Sequence, residues 1–408
     1  MHIGIEKMNL YAGSLVLDIE DLARARKMDP EQIKERAMVH KKAQNVDYED
    51  VITLAVNAAN PIITERDKDE IELCIFATES GLDYCKSNST YVCKYLGLKP
   101  NVRNFEIKNA CYATTCALQM AASWIGSQVS PGKKALVVSS DVNYSLKERP
   151  NEEIPAVGAV AMLVSDSPRV VELEMGKTGH YSFECTDYMR PTRTVDILKG
   201  EESVYAYLDC VEGAWDHYRL KAVGADSPGY FKRLIYHCPS GGLVKIAHGM
   251  LVKEAVPDMS RKQVQQDFEE RVSKSFLMTN EIGHTYSSSV YMCLISLLLK
   301  DNDIKTGDRI GVFSYGSGCC SEFFSVVILP EAREYVKTLG LEAYFRSRYR
   351  ISVAQYDTLT EKRMAHACEP TYETEIDYPE GWYEKNYHGK KLLIFKGTED
   401  YVRKYEWS

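Results

Sequence analysis

Glu106-Ile-Lys-Asn109-Ala-Cys111-Tyr-Ala-Thr-Thr-Cys116 is a turn of small and polar residues that runs into an alanine-rich segment with helical spacing over 111–129. The spacing places Cys111 at the N-terminus of that helix. Unpaired backbone N–H groups and the positive end of the dipole there favour thiolate over thiol, which is one way to activate a nucleophilic cysteine. A small buried cysteine with no chemistry would read the same way, and Cys116, further along, reads as packing.

Short apolar runs that end in small residues flank this segment, at 71–78, 135–140, 159–165, 234–238, 310–314 and 324–329. Such runs are the mark of buried, largely parallel strands. Helical spacing fills intervals between them, at 51–63, 111–129, 261–276 and 288–300. Alternation of this kind implies an α/β protein with helix-covered sheets. The pattern occurs before about residue 170 and again from about 230 to 330, as two similar halves would give, though no sequence repeat accompanies it. A chain of 408 residues also exceeds one ordinary core. From about residue 331 the texture becomes charged and aromatic, which predicts a surface-wrapping tail, with a cap over an active-site mouth as the alternative.

Composition narrows the function classes. Hydrophobic residues make up 45% and charged residues 26% of the chain, and the formal charge is −8, from 50 Lys+Arg against 58 Asp+Glu. That balance gives no electrostatic reason to bind nucleic acid or an anionic membrane. No apolar run approaches the roughly 20 residues of a membrane span, and the opening is too polar for a signal peptide. The twelve cysteines are scattered without a CxxC…CxxC frame or finger spacing, so reduced thiols in a cytoplasm are expected and a zinc site is not.

Three further segments end apolar strands in polar or glycine-rich residues. Glu79, in Phe76-Ala-Thr-Glu79-Ser-Gly81, sits where ligands of α/β sheets gather, and desolvation there would raise its pKa into the range useful for proton transfer. A solvated turn glutamate is the alternative. His237 precedes Gly241-Gly242, where the chain can approach a neighbour closely, and could equally be a satisfied core histidine. Phe313-Ser-Tyr-Gly316-Ser317-Gly318 leaves backbone N–H groups free for an oxyanion hole, while Cys319 and Cys320 read as buried small residues. Together these are a nucleophile, an acid/base, an imidazole and an oxyanion loop, a set suited to thioester acyl transfer and carbon–carbon bond formation.

Ala77-Thr-Glu79-Ser80, Asn109-Ala-Cys111-Tyr-Ala-Thr-Thr115, His237-Cys-Pro239 and Phe313-Ser-Tyr-Gly-Ser-Gly318 resemble, in order and spacing, the signatures of the hydroxymethylglutaryl-CoA synthase family. Gly4-Ile-Glu-Lys-Met-Asn9, Val56-Asn-Ala-Ala59 and Val157-Gly-Ala-Val-Ala-Met162 extend the resemblance over roughly residues 1–330, with the tail matching more loosely. The resemblance implies a thiolase-like α/β fold of two related βαβαβαββ-type halves in five αβαβα layers, usually dimeric. One half would span 1–170 with Glu79 and Cys111, the other 171–408 with His237, His284 and the 313–318 loop. It also implies roles. Cys111 takes an acetyl group, Glu79 removes a methyl proton from it, and His237 hydrogen-bonds the acceptor thioester. N–H groups of Cys111 and Ser317 stabilise the oxyanion, with Gly316, His284 and Tyr144 as further positioning residues. No metal or organic cofactor is implied.

Two departures bear on substrate and rate. The family pattern Gly-Asn-x-Tyr appears here as Gly283-His284-Thr285-Tyr286; related ketosynthases use Cys-His-Asn or Cys-His-His sets. Because histidine titrates near neutrality and asparagine does not, acceptor positioning and pH dependence are open at this position, as is a plain packing role. After His237, where primary-metabolism enzymes carry a Lys-rich stretch beside the coenzyme site, this chain keeps Lys245, with Gly241 and Gly242 as the other candidates for contact with the substrate arm. Fewer positive charges fit a substrate without the extra phosphates of coenzyme A. The resemblance is therefore to the polyketide β-branching synthases, which take acetyl and β-ketoacyl groups from acyl carrier proteins. Carrier proteins are acidic, and Arg24, Arg26 and Lys27 are candidates for docking them or for an ordinary charged helix. The competing readings are a primary synthase using acetyl-CoA and acetoacetyl-CoA, and a non-catalytic acyl-carrier-binding protein.

Overall fold

The computed structural model describes residues 2–144, 148–149, 151–227 and 229–408. Its framework is a nine-stranded mixed sheet built from β1 (Gly4–Tyr11), β2 (Ile71–Ala77), β3 (Arg103–Ile107), β4 (Lys134–Asp141), β5 (Gly158–Ser165), β6 (Val171–Ser182), β7 (Arg233–Tyr236), β8 (Arg309–Gly316) and β9 (Cys320–Ile328). The spatial order is β7-β8-β9-β6-β1-β5-β4-β2-β3. Outward from the short antiparallel seam between β1 and β6, both sides run in the same order: first strand, fourth-position hairpin pair, then second strand. β2–β4 and β7–β8 are parallel, whereas β4–β5 and β8–β9 are antiparallel. The repeat that the sequence does not display is thus present in the topology. It is not complete, because the β7 side has no counterpart of β3 among the described residues. There the chain forms the helix Arg261–Arg271 and the turn Ser273–Phe276, which bury Phe268 and Phe276.

Five helices place these strands in layers: α1 (Val51–Ala59), α2 (Ala113–Gly126), α3 (Gly200–Arg219), α4 (Gly241–Ala255) and α5 (Ser289–Lys300). Helices α1 and α3 cover the outer faces, α1 on β1, β4 and β5, and α3 on β6 and β9. Helices α2 and α5 lie between the two halves of the sheet. Thr115 on α2 donates to Ser314 on β8 (2.8 Å) and shares a hydrogen bond with Tyr291 of α5 (2.9 Å). The result is the expected αβαβα stack. Small residues explain the close approach, since Ala113, Ala117, Ala121 and Ala122 of α2 are all fully buried.

The tail is more than a wrapping. Tyr349–Ile351 adds a strand in parallel to Leu15–Asp18, which pairs with Lys41–Gln44. Tyr356, Leu359, Trp382, Tyr387 and Ile394 build a second core with Leu15, Leu17, Ile33, Val46 and Tyr48. Buried Glu49 ties it together by accepting from the hydroxyls of Tyr11 (2.8 Å) and Tyr387 (2.7 Å) and the N–H groups of Ser14 and Val46 (3.3 Å each). Arg363 donates to the carbonyl of Asn143, so the tail also braces a wall behind the site. Glu49→Ala leaves two buried hydroxyls and two N–H groups without their acceptor and should destabilise the protein by about 3 kcal/mol. A lowered urea midpoint measures it.

Candidate active site

The strand ends and helix starts singled out in the sequence converge beside α2. Cys111 lies in the turn just before α2, whose N-cap is Tyr112. Ala110 is held at φ 44°, a left-handed conformation that a residue with a side chain adopts at a cost, and this presents Cys111 to the interior. The thiol donates to Glu79 Oε1 at 3.1 Å. Glu79 follows β2 and is directed by Asp141 at the end of β4. The Asp141 carboxylate accepts from Glu79 N (2.9 Å), Thr78 Oγ1 (2.8 Å), Ser80 Oγ (2.9 Å), Ser287 N (3.1 Å) and Ser287 Oγ.

The other half-sheet delivers the imidazoles. His237 continues β7, its N–H donating to Phe313 O (2.8 Å) and its carbonyl accepting from Tyr207 (2.6 Å). Its Nδ1 lies 3.4 Å from Ser289 Oγ. His284 is pinned through its backbone, donating to Ile154 O (2.9 Å) and accepting from Ala156 N (2.7 Å). Gly283 before it has φ 91°, and a Cβ there would meet Ala156 Cβ at 2.9 Å. The two rings lie edge to face with centroids 5.0 Å apart, and one ligating atom from each lies within 4.8 Å of the other and of Cys111. Gly316, at the end of β8, meets the nucleophile turn, since a Cβ on it would fall 2.5 Å from Asn109 O and 2.7 Å from Tyr112 N. The half-buried Ser317 follows directly.

Electrostatics reverse one expectation. Burial, and then the charge of Glu79, push the Cys111 thiol well above its ordinary pKa, so desolvation and a like-charged neighbour outweigh the helix terminus and the resting residue is a thiol. Burial raises Glu79 to about 7, against the lowering effect of Arg190. It therefore switches between acid and base near neutrality. Burial, and then the neighbouring His284, hold His237 well below its usual value. Burial alone takes His284 to about 4, so it stays neutral through the physiological range and adds no titration there.

The other sequence candidates have neighbours of their own. Tyr144 lines a cavity with Arg363, Tyr372 and Arg403 of the tail. Gly241 is fitted to Met38, whose sulfur would lie 2.4 Å from an added Cβ, and Gly242 lies near the Arg36 carbonyl, so packing against the helix Pro30–Ala37 accounts for Gly241. Lys245 Nζ lies 5.9 Å from the centre of the Phe268 ring. Arg26 is no free docking charge, being paired with Glu152 and Asp357, and Arg24 is paired with Glu20 and Asp21.

Two residues that sequence reading passed over belong to the site. Asp141 ends an apolar strand as any solvated turn acid would. Arg190, on the hairpin formed by Tyr188–Thr192 and Val195–Leu198, comes within 3.8 Å of Glu79 Oε2 and donates to the Glu79 carbonyl at 3.1 Å. It sits in a segment with no periodic signal.

The fold is that of a thiolase-like condensing enzyme, and these side chains form its candidate active site. Residues 1–168 match the family model for the hydroxymethylglutaryl-coenzyme A synthase N terminal, and residues 251–388 the one for the C terminal. The chain belongs to the hydroxymethylglutaryl-coenzyme A synthase family. It is 35% identical to the polyketide biosynthesis 3-hydroxy-3-methylglutaryl-ACP synthase PksG of Bacillus subtilis, over 99% of both chains. It is 31% identical to the hydroxymethylglutaryl-CoA synthase of Enterococcus faecalis, over 93% of this chain and 96% of that one. The HMG synthase of the curacin biosynthetic pathway, solved in complex with holo donor-ACP, superposes with a TM-score of 0.95 at 36% identity over the whole of both chains.

Arg190 favours the charged form of Glu79, so its removal should raise the Glu79 pKa further. In Arg190→Met, the rise of condensation rate with pH, which tracks Glu79 carboxylate near 7, should move to higher pH by about one unit. A pH profile of kcat/KM checks the direction.

Proposed function

We propose that this enzyme is a β-branching synthase of polyketide assembly, taking an acetyl group from one acyl carrier protein and adding its methyl carbon to the β-carbonyl of a β-ketoacyl group on another. The observation that carries the chemistry is the hydrogen bond from Cys111 to Glu79 beside two neutral imidazoles. Carrier-protein delivery is supported by the likeness to PksG and to the curacin synthase with its donor-ACP. It is supported also by the stretch 238–248 after His237, which carries Lys245 as its one basic Lys or Arg residue, few charges for a coenzyme's extra phosphates.

In this reading Cys111 sulfur attacks the acetyl thioester as its proton passes to the Glu79 carboxylate, and the carrier thiol leaves with a proton. The N–H groups of Cys111 and Ser317 stabilise the oxyanion, with Gly316 keeping the two turns in contact. Glu79, again a carboxylate, takes a methyl proton from the acetyl-enzyme. The resulting carbon nucleophile adds to the acceptor β-carbonyl while His237 hydrogen-bonds the acceptor thioester, with His284 bordering the same space. The new alkoxide takes the proton held by Glu79. Water then cleaves the enzyme thioester and leaves a carboxymethyl branch on a hydroxyl-bearing carbon. Burial serves this sequence, because a Glu79 pKa near 7 suits both removal and return of a proton.

The same reading takes the chain as a cytoplasmic homodimer of halves divided near residue 170, with no resident metal or organic cofactor. Intact-protein mass spectrometry tests the central claim. Acetyl-carrier protein should leave an acetyl adduct that acetyl-CoA forms weakly and that Cys111→Ala lacks. Efficient loading from acetyl-CoA would favour the primary synthase, and absence of any adduct would remove Cys111 as nucleophile.

A further inference from the structure

Scattered cysteines without ligand spacing gave no reason to expect a metal site, yet the fold gathers one thiol and two imidazoles from three distant segments. We propose that Cys111, His237 and His284 chelate a thiophilic divalent cation, zinc above all, which occupies the pocket as a reversible inhibitor and blocks the nucleophile. One ligating atom from each of the three side chains lies within 4.8 Å of the others, and among the described residues no other such group of His, Cys, Asp and Glu occurs.

The donor set selects the ion. Thiolate and imidazole suit zinc, whereas magnesium and calcium require oxygen ligands. Tetrahedral zinc with bonds of about 2.3 Å to sulfur and about 2.0 Å to nitrogen holds its ligands roughly 3.5 Å apart. The side chains need to close by about an ångström to reach that spacing. Side-chain rotation can supply this, because His284 Nε2 is buried with no hydrogen-bond partner to give up. Each imidazole can offer a ring-nitrogen lone pair to a cation. The thiol proton has a place to go: the S–H bond breaks, a sulfur–zinc bond forms, and the proton passes to the Glu79 carboxylate already hydrogen-bonded to that thiol. Three protein ligands leave the fourth position to water.

The third ligand is the departure at position 284. An asparagine there would leave two ligands, too few for a stable site, so susceptibility to zinc follows from the histidine at position 284. The zinc site is independent of which acyl donor the enzyme uses, and binding can be read without turnover.

Equilibrium dialysis of the full chain against zinc alone should give one tight site. His284→Asn should weaken it at least about 100-fold, by comparison with the 10–100-fold losses typical when even an outer-shell partner is removed. Cys111→Ser should also lose it, which guards against an asparagine variant that folds poorly. Cobalt(II) in place of zinc should give a thiolate charge-transfer band that both variants lack, and zinc should protect Cys111 from iodoacetamide until a chelator is added. Equal zinc affinity in either folded variant, or cobalt binding without the thiolate band, would overturn the site. Failure of acetyl loading with zinc binding intact would instead count against the synthase reading alone.

Discussion

The carboxylate of Asp141 is the constraint on which the site depends. It ends a central strand with no exposure to solvent and would be costly to bury as an anion without compensation. Compensation comes from donors on two other segments, the Thr78–Ser80 turn and the Ser287 turn. The first carries Glu79. The second lies between His284 and Ser289, and Ser289 faces His237. One buried anion therefore fixes the base and both imidazoles relative to one another. Left-handed Tyr286 (φ 51°) lies in the second turn, strain that the surrounding hydrogen bonds hold in place.

Burial then sets the chemistry. The helix terminus beside Cys111 acts over one turn and contributes on the order of 1 kcal/mol, whereas removing a thiolate from water beside a carboxylate costs several times more. The structure accordingly keeps the proton on sulfur, hydrogen-bonded to Glu79. The same dryness that keeps the thiol protonated keeps both imidazoles uncharged, so one physical cause tunes every group in the pocket.

Much of the fold was legible in the sequence because its strands are apolar and end in small residues. The runs at 71–78, 135–140, 159–165 and 310–314 are all strands, and Cys111, Glu79, His237 and His284 do meet. β1 was illegible as a strand by hydropathy because Glu6 and Lys7 interrupt it. Buried Glu6 and part-buried Lys7 are held in ion pairs, Lys7 with Asp67 at 2.5 Å and Glu6 with Lys134 at 2.9 Å, which no window along the chain can display. The helix Gly200–Arg219 and the hairpin bearing Arg190 were both missed. The helix does carry a legible stripe, with Ala206, Tyr207, Cys210, Val211, Ala214, Trp215 and Tyr218 buried at helical spacing, whereas the hairpin strands are short and mostly exposed and show no alternation. At Gly241 the structure shows a packing reason that the sequence could not, since Met38 leaves no room there for a Cβ.

The second core has a consequence for how the chain is made. Leu15, Leu17 and Tyr48 leave the ribosome well before Tyr356, Trp382, Tyr387 and Ile394, which cover them. Glu49 likewise waits for the Tyr387 hydroxyl, and Asn57 for the backbone of Leu393, with which it exchanges two hydrogen bonds. The segment from Leu15 to Tyr48 cannot complete its packing until those later residues have been made, so this core is closed late in synthesis.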